Sequence, residues 1–169
     1  MKDLDTNEWY TPLFLLKLVQ EFYQGEFLDP ASCPEVEPYV KASKFYFKEE
    51  DGLKQSWSGR IWLNPPYSQP LVTQFTQKLI SEYKKKNITE ALLLVNSCTE
   101  TKWFQDVAKN CDRRLDILGR LRFWNPVKTS NSPRYGQCLF YFGENCNQFE
   151  NKFNDLGIIY KLTDTSNGY

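Results

Sequence analysis

The sequence predicts an α/β protein with a mostly parallel, doubly wound sheet that ends in a C-terminal antiparallel hairpin. Three observations favour this class. Short apolar segments alternate with segments of helical spacing along most of the chain. Residues 91–95 are uniformly apolar, which is typical of a parallel strand buried on both faces. Nearer the C-terminus, residues 121–123 and 138–142 flank a polar loop, which predicts two antiparallel strands.

Composition indicates one soluble globular domain. The length of 169 residues suits a single core, and the hydrophobic and charged contents of 41% and 25% are those of a globular protein. The chain has no apolar run near the roughly 20 residues that span a bilayer. Its first five residues are polar and acidic, unlike a signal peptide. We therefore expect residues 1–169 to form one cytoplasmic domain with no membrane partner.

Residue types exclude several kinds of chemistry. The chain has no His, which removes Ser-His and Cys-His catalysis and most metal centres. Its five Cys include no C-x-x-C pair, so neither a disulfide framework nor a structural zinc site is predicted. The 21 basic and 21 acidic residues cancel, so nucleic-acid binding would depend on a local basic patch. A mechanism must therefore use Asn, carboxylates, aromatic rings, Lys, Arg and backbone groups.

The N-terminal part of the chain is predicted to alternate helices with short strands. The pair Thr11-Pro12 can cap and begin a helix that stops at Gly25. Residues 27–29 form a short buried strand that ends at an aspartate. Two prolines within residues 33–43 leave room for a short crossover helix only. Residues 44–47 form the second strand.

The rest of the chain is predicted to continue this alternation. Residues 60–63 form a strand, and apolar residues at helical spacing follow it from Leu71 to Tyr83. The lysines at 84–86 are typical of a solvated helix end that offsets the helix dipole. The remaining elements are a strand at 91–95, a helix from Thr99 or Thr101, strands at 115–118, 121–123 and 138–142, a helix at 149–156 and a strand at 158–160.

The residues with the clearest chemical meaning follow the strand at 60–63. Two prolines cannot continue a strand ladder, so Asn64-Pro65-Pro66-Tyr67 should lie at the carboxyl end of that strand, where open α/β sheets bind ligands. A carboxamide beside backbone carbonyls in a stiff turn can hold both hydrogens of a planar amino group. The aromatic side chain of the next residue, Tyr67, can lie against the ring that carries the amino group. The alternative is an ordinary turn after a strand.

This motif also carries a family resemblance. Asn-Pro-Pro-Tyr after an apolar strand resembles the catalytic motif of amino methyltransferases that use S-adenosylmethionine. An ordered set of motifs over residues 7–142 resembles the small phage-type DNA adenine-N6 methyltransferase family. The ordered set is a more specific signal than any single motif within it. The set comprises Trp9-Tyr10-Thr11-Pro12, Leu28-Asp29-Pro30-Ala31-Ser32, Asp51-Gly52-Leu53, Trp57-Ser58-Gly59-Arg60, Asn64-Pro65-Pro66-Tyr67, Trp103-Phe104 and Gly119-Arg120-Leu121-Arg122-Phe123.

The resemblance implies a Rossmann-like methyltransferase fold, a reaction and a substrate. Asn64 and the carbonyl of Pro65 would hold the N6 amine of an adenine in double-stranded DNA, with Pro66 keeping the turn stiff. Enzymes that act on a base take it out of the duplex, and Tyr67 would stack on the flipped base. The methyl donor would be S-adenosylmethionine, and no metal is expected. The resemblance places the protein in a bacterial or phage-infected host cell.

The resemblance also implies a site for the methyl donor. Asp29 would bind the donor's ammonium group by a charge-assisted hydrogen bond. Asp51 would accept a hydrogen bond from its adenine amino group, with Leu53 against the ring. An acid after the second strand should hold the ribose, and both Glu49 and Glu50 qualify. The alternatives are turn and cap roles for the same residues. The other residues implied at this site are Trp9, Tyr10, Thr11, Pro12, Ala31 and Ser32.

Four basic residues are candidates for DNA contact. Arg120 and Arg122 alternate on a predicted strand beside the loop from Trp124 to Gly136, which holds Lys128 and Arg134. Such side chains can bind phosphates and base edges. Surface charge on a hairpin explains the same pattern equally well.

Two other functions are compatible with this sequence. A methyltransferase acting on another planar amine, such as an RNA base or a protein glutamine, would need the same chemistry. A non-catalytic nucleic-acid-binding remnant would keep the fold. The motifs outside Asn64–Tyr67 favour DNA, and an intact catalytic motif argues against the remnant.

Overall fold

The computed structural model describes residues 10–125 and 134–161, which form a mixed α/β arrangement on one sheet of seven strands. None of the helices in this part of the chain is long and apolar enough to cross a membrane. The strands are β1 (Leu28–Asp29), β2 (Lys44–Phe45), β3 (Gly59–Leu63), β4 (Ile88–Asn96), β5 (Arg113–Ile117), β6 (Gln137–Phe142) and β7 (Gly157–Lys161). The helices are α1 (Leu13–Tyr23), α2 (Glu37–Val40), α3 (Leu71–Lys84), α4 (Lys102–Asn110) and α5 (Cys146–Phe153).

The strand order places a topological switch point between β1 and β3. Across the sheet the order is β2-β1-β3-β4-β6-β5-β7. Neighbours from β2 to β4 pair in parallel, whereas β6 is antiparallel to both β4 and β5, and β7 is antiparallel to β5. The chain therefore goes from β1 to one edge and returns to β3 on the other side of β1. Such a reversal opens a crevice at the carboxyl ends of the two strands.

Helices cover both faces of the sheet, and successive residues of the central strands point into two cores. On one face, α3 and α4 pack over Ile61 and Leu63. On the other face, α1 and α5 pack over Trp62 and Leu92. Every residue from 91 to 95 is 0% exposed. This burial on both faces explains the uniformly apolar segment, and it confirms the predicted buried strand.

The start of α1 differs from the prediction. The helix begins at Leu13, Pro12 occupies the cap position, and no side chain caps the first turn. Thr11 is therefore not the helix cap, and its hydroxyl is used elsewhere. At the other end, Gln24 rather than Gly25 takes the left-handed conformation that closes the helix, with φ of 46°.

The predicted C-terminal hairpin is wrong. Residues 138–142 belong to β6, but residues 121–123 form no strand. All six residues of β6 are buried, so this strand needs a neighbour on each side and lies between β4 and β5. The segment 121–123 carries the exposed Arg122 and cannot enter the sheet interior. It is held instead through its backbone, because the Leu121 N–H donates to Gln137 Oε1 at 3.1 Å.

Candidate active site

A cleft of about 1170 Å³ opens at the switch point. Asp29 ends β1 and Asn64 follows β3, so both side chains reach it from the carboxyl ends of adjacent strands. Most of the lining comes from the segments that follow β1, β2 and β3, together with Tyr10, Thr11 and residues at the start of β6. The cleft therefore collects side chains from segments that are distant in the sequence.

The Asn64 side chain is held at both ends. Its Nδ2 donates to Thr11 Oγ1 at 3.0 Å, and the Tyr67 hydroxyl donates to its Oδ1 at 2.8 Å. The same hydroxyl lies 3.3 Å from the Leu94 carbonyl oxygen on β4. An amide oxygen has two lone pairs, so Oδ1 keeps one acceptor position that the Tyr67 contact does not use. Asn64 thus presents a fixed acceptor at the cleft.

The two prolines supply a second acceptor beside the first. A proline nitrogen has no hydrogen to donate, and β3 stops at Leu63, just before Asn64. Pro65 is buried, whereas Pro66 is exposed. Within the described ranges, no N–H or hydroxyl donates to the Pro65 carbonyl. Both residues line the cleft, so this oxygen and Oδ1 of Asn64 are acceptors on adjacent residues that the described part of the chain leaves with unused capacity.

Tyr67 is half-buried and forms an aromatic wall with Phe123. The two rings meet edge to face, with centroids 6.3 Å apart. Burial raises the pKa of the Tyr67 hydroxyl well above its usual range, so the group stays protonated and donates its hydrogen bond. Phe123 also lines the cleft, a role that the sequence alone does not predict. Its position at the end of the Gly119–Phe123 motif was the available signal.

Asp29 is a buried carboxylate with no cationic partner among the described residues. It is 3% exposed, and no basic side chain of the described residues forms an ion pair with it. Loss of hydration raises the pKa of Asp29 to about 7, although a hydrogen bond from the Ala31 N–H, 3.1 Å long, favours the ionised form. A positively charged group of a ligand would offset this loss of hydration.

Ser32 adds a second buried polar group to the same wall. Its N–H donates to the Tyr46 carbonyl at 3.0 Å, which ties the segment after β1 to the segment after β2. The hydroxyl is near enough to Asp29 to lower the pKa of that carboxyl, yet it meets no hydrogen-bond geometry with any described group. Buried hydroxyls usually have a partner, so this one indicates a ligand contact.

The loop after β2 brings Asp51 to the cleft. Asp51 Oδ1 accepts from the Leu53 N–H at 3.2 Å, and Oδ2 pairs with Lys54 Nζ at 3.1 Å. The next residue, Gly52, lies so close to Pro30 that a Cβ would sit 1.9 Å from the Pro30 carbonyl oxygen. A glycine therefore allows the loops after β1 and β2 to touch, and this contact keeps the carboxylates of the two loops at one cleft.

The segment at residues 10–11 is tied to Trp124. Tyr10 and Trp124 exchange two backbone hydrogen bonds of 2.8 and 3.0 Å, and their rings meet edge to face at 5.1 Å. The indole Nε1 of Trp124 donates to the Thr11 carbonyl at 3.0 Å. Thr11 is thus held through its backbone by Trp124 and through its side chain by Asn64. Sequence reasoning missed this role of Trp124, for which no local pattern gives a signal.

One of the four basic candidates for DNA contact reaches the cleft. Arg134 lies in its lining. Arg120 and Arg122 are exposed and lie outside that lining. Lys128 falls outside the described residues, as does Trp9 from the predicted cofactor site.

Comparison with known proteins assigns the chain to a family. The sequence profile described as DNA N-6-adenine-methyltransferase (Dam) matches residues 1–151. The chain belongs to this family. A DNA N-6-adenine-methyltransferase of Haemophilus phage HP1 is 34% identical over 126 residues, which cover 73% of this chain and 70% of that protein. One of Escherichia phage T1 is 29% identical over 138 residues, 80% of this chain and 54% of that protein. No solved structure matches significantly.

The region that matches the DNA N-6-adenine-methyltransferase family contains the whole cleft. Residues 10–11, 29–32, 51–53 and 64–67 all line it and all lie within residues 1–151. Pro12 is absent from the lining, as are Glu49 and Glu50, the two candidates for a ribose-binding acid. Among the described residues, no group of three or more Cys, Asp and Glu side chains is placed to hold a metal ion.

Proposed function

We propose that this chain transfers a methyl group from S-adenosylmethionine to the N6 amine of adenine in double-stranded DNA. Its family and two relatives carry the name of that enzyme. The observation that carries the residue assignment is the fixed Asn64 amide at the carboxyl end of β3, with an unused acceptor position beside the Pro65 carbonyl. The relatives are phage proteins, so the place of action is a bacterial or phage-infected host cell.

Two acceptors match the two hydrogens of the adenine amine. The lone pair of that amine is conjugated with the ring, which makes the nitrogen a poor nucleophile. Hydrogen bonds to Asn64 Oδ1 and to the Pro65 carbonyl draw the two hydrogens to one side and favour a pyramidal nitrogen. Because both acceptors are already held in place, little rearrangement opposes this change. Tyr67 stacks on the flipped base, as expected for an enzyme that removes its target from the duplex.

The cleft fits the proposed methyl donor. S-adenosylmethionine supplies an electrophilic methyl group on a sulfonium, and it also carries an ammonium group. Asp29, which is buried and has no cation beside it among the described residues, is a suitable partner for that ammonium group, and the Ser32 hydroxyl lies on the same wall. Asp51 and Leu53 follow β2 and hold the adenosine end. Since Glu49 and Glu50 lie outside the lining, Asp51 is the acid of this loop that faces the ligand.

The topology supports a Rossmann-like methyltransferase assignment. β1 to β4 run in one direction, β5 runs with them because β6 opposes both β4 and β5, and helices cover both faces. The carboxylates assigned to the donor follow β1 and β2, and the motif assigned to the amine follows β3. The donor and the amine therefore meet across the switch point.

Replacement of Asn64 tests this function. Asn64→Ala should lower single-turnover methyl transfer to DNA at least about 100-fold, the effect of removing one preorganised hydrogen-bonding group. Binding of S-adenosylmethionine should change little, because its proposed contacts lie on other segments. The assay uses DNA that lacks N6-methyladenine, saturating cofactor and sequencing for modified bases, with thermal melting as the folding control. Near wild-type transfer by the folded variant would exclude Asn64 from the reaction.

A further inference from the structure

The Thr11 side chain serves the catalytic motif in this structure. The Thr11-Pro12 pair has the sequence pattern of a helix cap, yet α1 has no side-chain cap. Thr11 is 2% exposed, and its Oγ1 accepts the hydrogen bond from Asn64 Nδ2 at 3.0 Å. We propose that Thr11 is a positioning residue, which holds the Asn64 side chain in the place where its amide oxygen can accept from the substrate amine. This proposal rests on the function proposed above.

Tyr67, the other hydrogen-bond partner of Asn64, does not by itself fix the orientation of the Asn64 amide. Tyr67 donates to Oδ1, but the Leu94 carbonyl lies 3.3 Å from the same hydroxyl and is a second acceptor for its proton. If the amide turned by 180°, the Tyr67 oxygen could accept from Nδ2 while its proton went to Leu94. Without the Thr11 hydroxyl, Tyr67 alone would hold the amide, in either orientation. The Thr11 hydroxyl holds the other end of the amide, so the Asn64 side chain is restrained at two points rather than one.

Thr11 is itself held in position from both sides. Its carbonyl accepts from Trp124 Nε1 at 3.0 Å, and the preceding residue, Tyr10, exchanges two backbone hydrogen bonds with Trp124. On the other side, the N–H groups of Leu15 and Leu16 donate to the Pro12 carbonyl and begin α1. The hydroxyl consequently has little freedom to follow a shift of Asn64, so it can act as a fixed support.

The hydroxyl can be removed with little change of volume. Thr11→Val should lower the single-turnover rate at saturating cofactor and DNA about tenfold or more, because Asn64, which holds the reacting amine, loses one hydrogen bond. The dissociation constant of S-adenosylmethionine should change by less than about twofold. Thr11→Ser keeps the hydroxyl and should restore most of the rate, a rescue that a purely structural role for the methyl group would not give.

A matched control separates positioning from stability. Thr76 is 1% exposed, and its hydroxyl donates to the Val72 carbonyl within α3 rather than to a cleft residue. Thr76→Val thus removes a buried hydroxyl elsewhere and should leave the rate unchanged. In an Asn64→Ala background, Thr11→Val should have no further effect on the rate, because a residue that acts through Asn64 is not additive with it.

Two kinetic results would overturn the proposal. A weaker affinity for S-adenosylmethionine with an unchanged saturated rate would make Thr11 a cofactor contact, as the sequence resemblance implies. Equal rate losses in the Val and Ser variants would show that shape, and not the hydroxyl, matters.

The failure of the proposed function has a different signature. A wild-type protein that methylates no adenine in DNA would refute that function and leave Thr11 open to a second measurement. The side-chain amide signals of Asn64 in nuclear magnetic resonance spectra can be assigned by their loss in Asn64→Ala. They should shift in Thr11→Val and stay in place in Thr11→Ser. Unshifted signals in the Val variant would refute the positioning role whatever the substrate is.

Discussion

At the scale of single residues, Asp29 is the group whose chemistry depends most on what occupies the cleft. Its carboxyl is buried, and no basic side chain of the described residues balances its charge. Burial raises its pKa to about 7, so the ligand-free protein is partly protonated at this position near neutral pH. A bound cation would favour the ionised form and would make ligand affinity depend on pH.

Asp29→Asn should raise the thermal midpoint of the ligand-free protein at pH 8 and change it little at pH 4. The pKa of Asp29 is about 7 in the folded protein and 3.8 in an ordinary environment, so the native state binds the proton more tightly. The associated stability is present at low pH and is lost as the pH rises through about 7. An amide is neutral throughout and shows no such loss. Equal midpoints at pH 8 would contradict the raised pKa.

The same variant should weaken S-adenosylmethionine binding about tenfold or more, since a charge-assisted hydrogen bond is lost. For the wild type, calorimetry should show affinity rising as the pH increases through about 7, while Asp29→Asn should lack this dependence. Asp106→Asn is a control, because Asp106 lies on α4 and pairs with Lys102. An affinity that Asp29→Asn leaves unchanged would remove Asp29 from the site.

The sequence is informative about these residues to different degrees. Asn64 and Asp29 are predictable, because each follows an apolar strand, and parallel strands present their carboxyl ends at one edge. The Thr11–Asn64 contact joins residues 53 positions apart, so it needs the packing of α1 against the sheet and cannot be read locally. Thr-Pro is a common start of a helix, and that stronger local signal gave the wrong role.

At the scale of elements, the turn at Gly52 decides where the loop after β2 can lie. Its Cα touches the backbone at Pro30, and the indole of Trp57 donates to the Gly52 carbonyl at 2.8 Å. The turn is thus fixed from the cleft side and from the core side. A displaced turn would carry Asp51 and Leu53 with it.

Gly52→Ala should lower stability and weaken S-adenosylmethionine binding together. The new Cβ would lie 1.9 Å from the Pro30 carbonyl oxygen, so one of the two loops must move. Gly136→Ala is the matched folding control, because its Cβ would lie 3.6 Å from Ser97 Oγ, an ordinary contact. Thermal melting and calorimetry measure both effects. Wild-type affinity in Gly52→Ala would show that the contact between the loops does not shape the site.

The segment before β6 presents Arg134 at the cleft, and this position predicts a role in DNA binding. Arg134→Ala should weaken DNA binding and reduce the slope of log affinity against log salt by about 1, as the loss of one phosphate contact does. Lys85→Ala is the control, because α3 starts at the cleft with Leu71, and Lys85 follows it about 20 Å away at the far end. Equal salt slopes for Arg134→Ala and the wild type would place Arg134 off the DNA.

Element prediction succeeded where pattern and burial agree. The strands at 60–63 and 91–95 and the helix from Leu71 were found because their spacing reflects one or two buried faces. The prediction of a strand at 121–123 was wrong, because three residues with alternating polarity also occur in segments that lie along a cleft. The partner of this segment's backbone, Gln137, is distant in the chain and gives no local signal.

At the scale of the whole molecule, one sheet joins both cores. Neighbouring residues of β3 and β4 point to opposite faces, so neither layer of helices has strands of its own. Loss of either core would expose the shared sheet. We therefore expect the chain to unfold as one cooperative unit.

Phe104→Ala and Phe149→Ala should each lower the free energy of unfolding by roughly 3–5 kcal/mol, and both should affect the same unfolding transition. Phe104 on α4 is 1% exposed in one core, and Phe149 on α5 is 0% exposed in the other. Far-ultraviolet circular dichroism and tryptophan fluorescence should follow a single transition in both variants and in the wild type. A variant in which the two probes report different unfolding midpoints would indicate two independent units.

The central place of β6 has a consequence for synthesis of the protein on the ribosome. β4 ends at Asn96, but its partner begins only at Gln137, and a ribosome that adds roughly 5–20 residues per second takes about 2–8 s to reach it. The edge of β4 that β6 covers stays open until β6 has left the ribosome and paired with it, and other chains can pair with this edge in the meantime. A variant that ends before Gln137 should therefore give a lower soluble yield than the full chain, and chaperones that cover nascent strands should restore part of it.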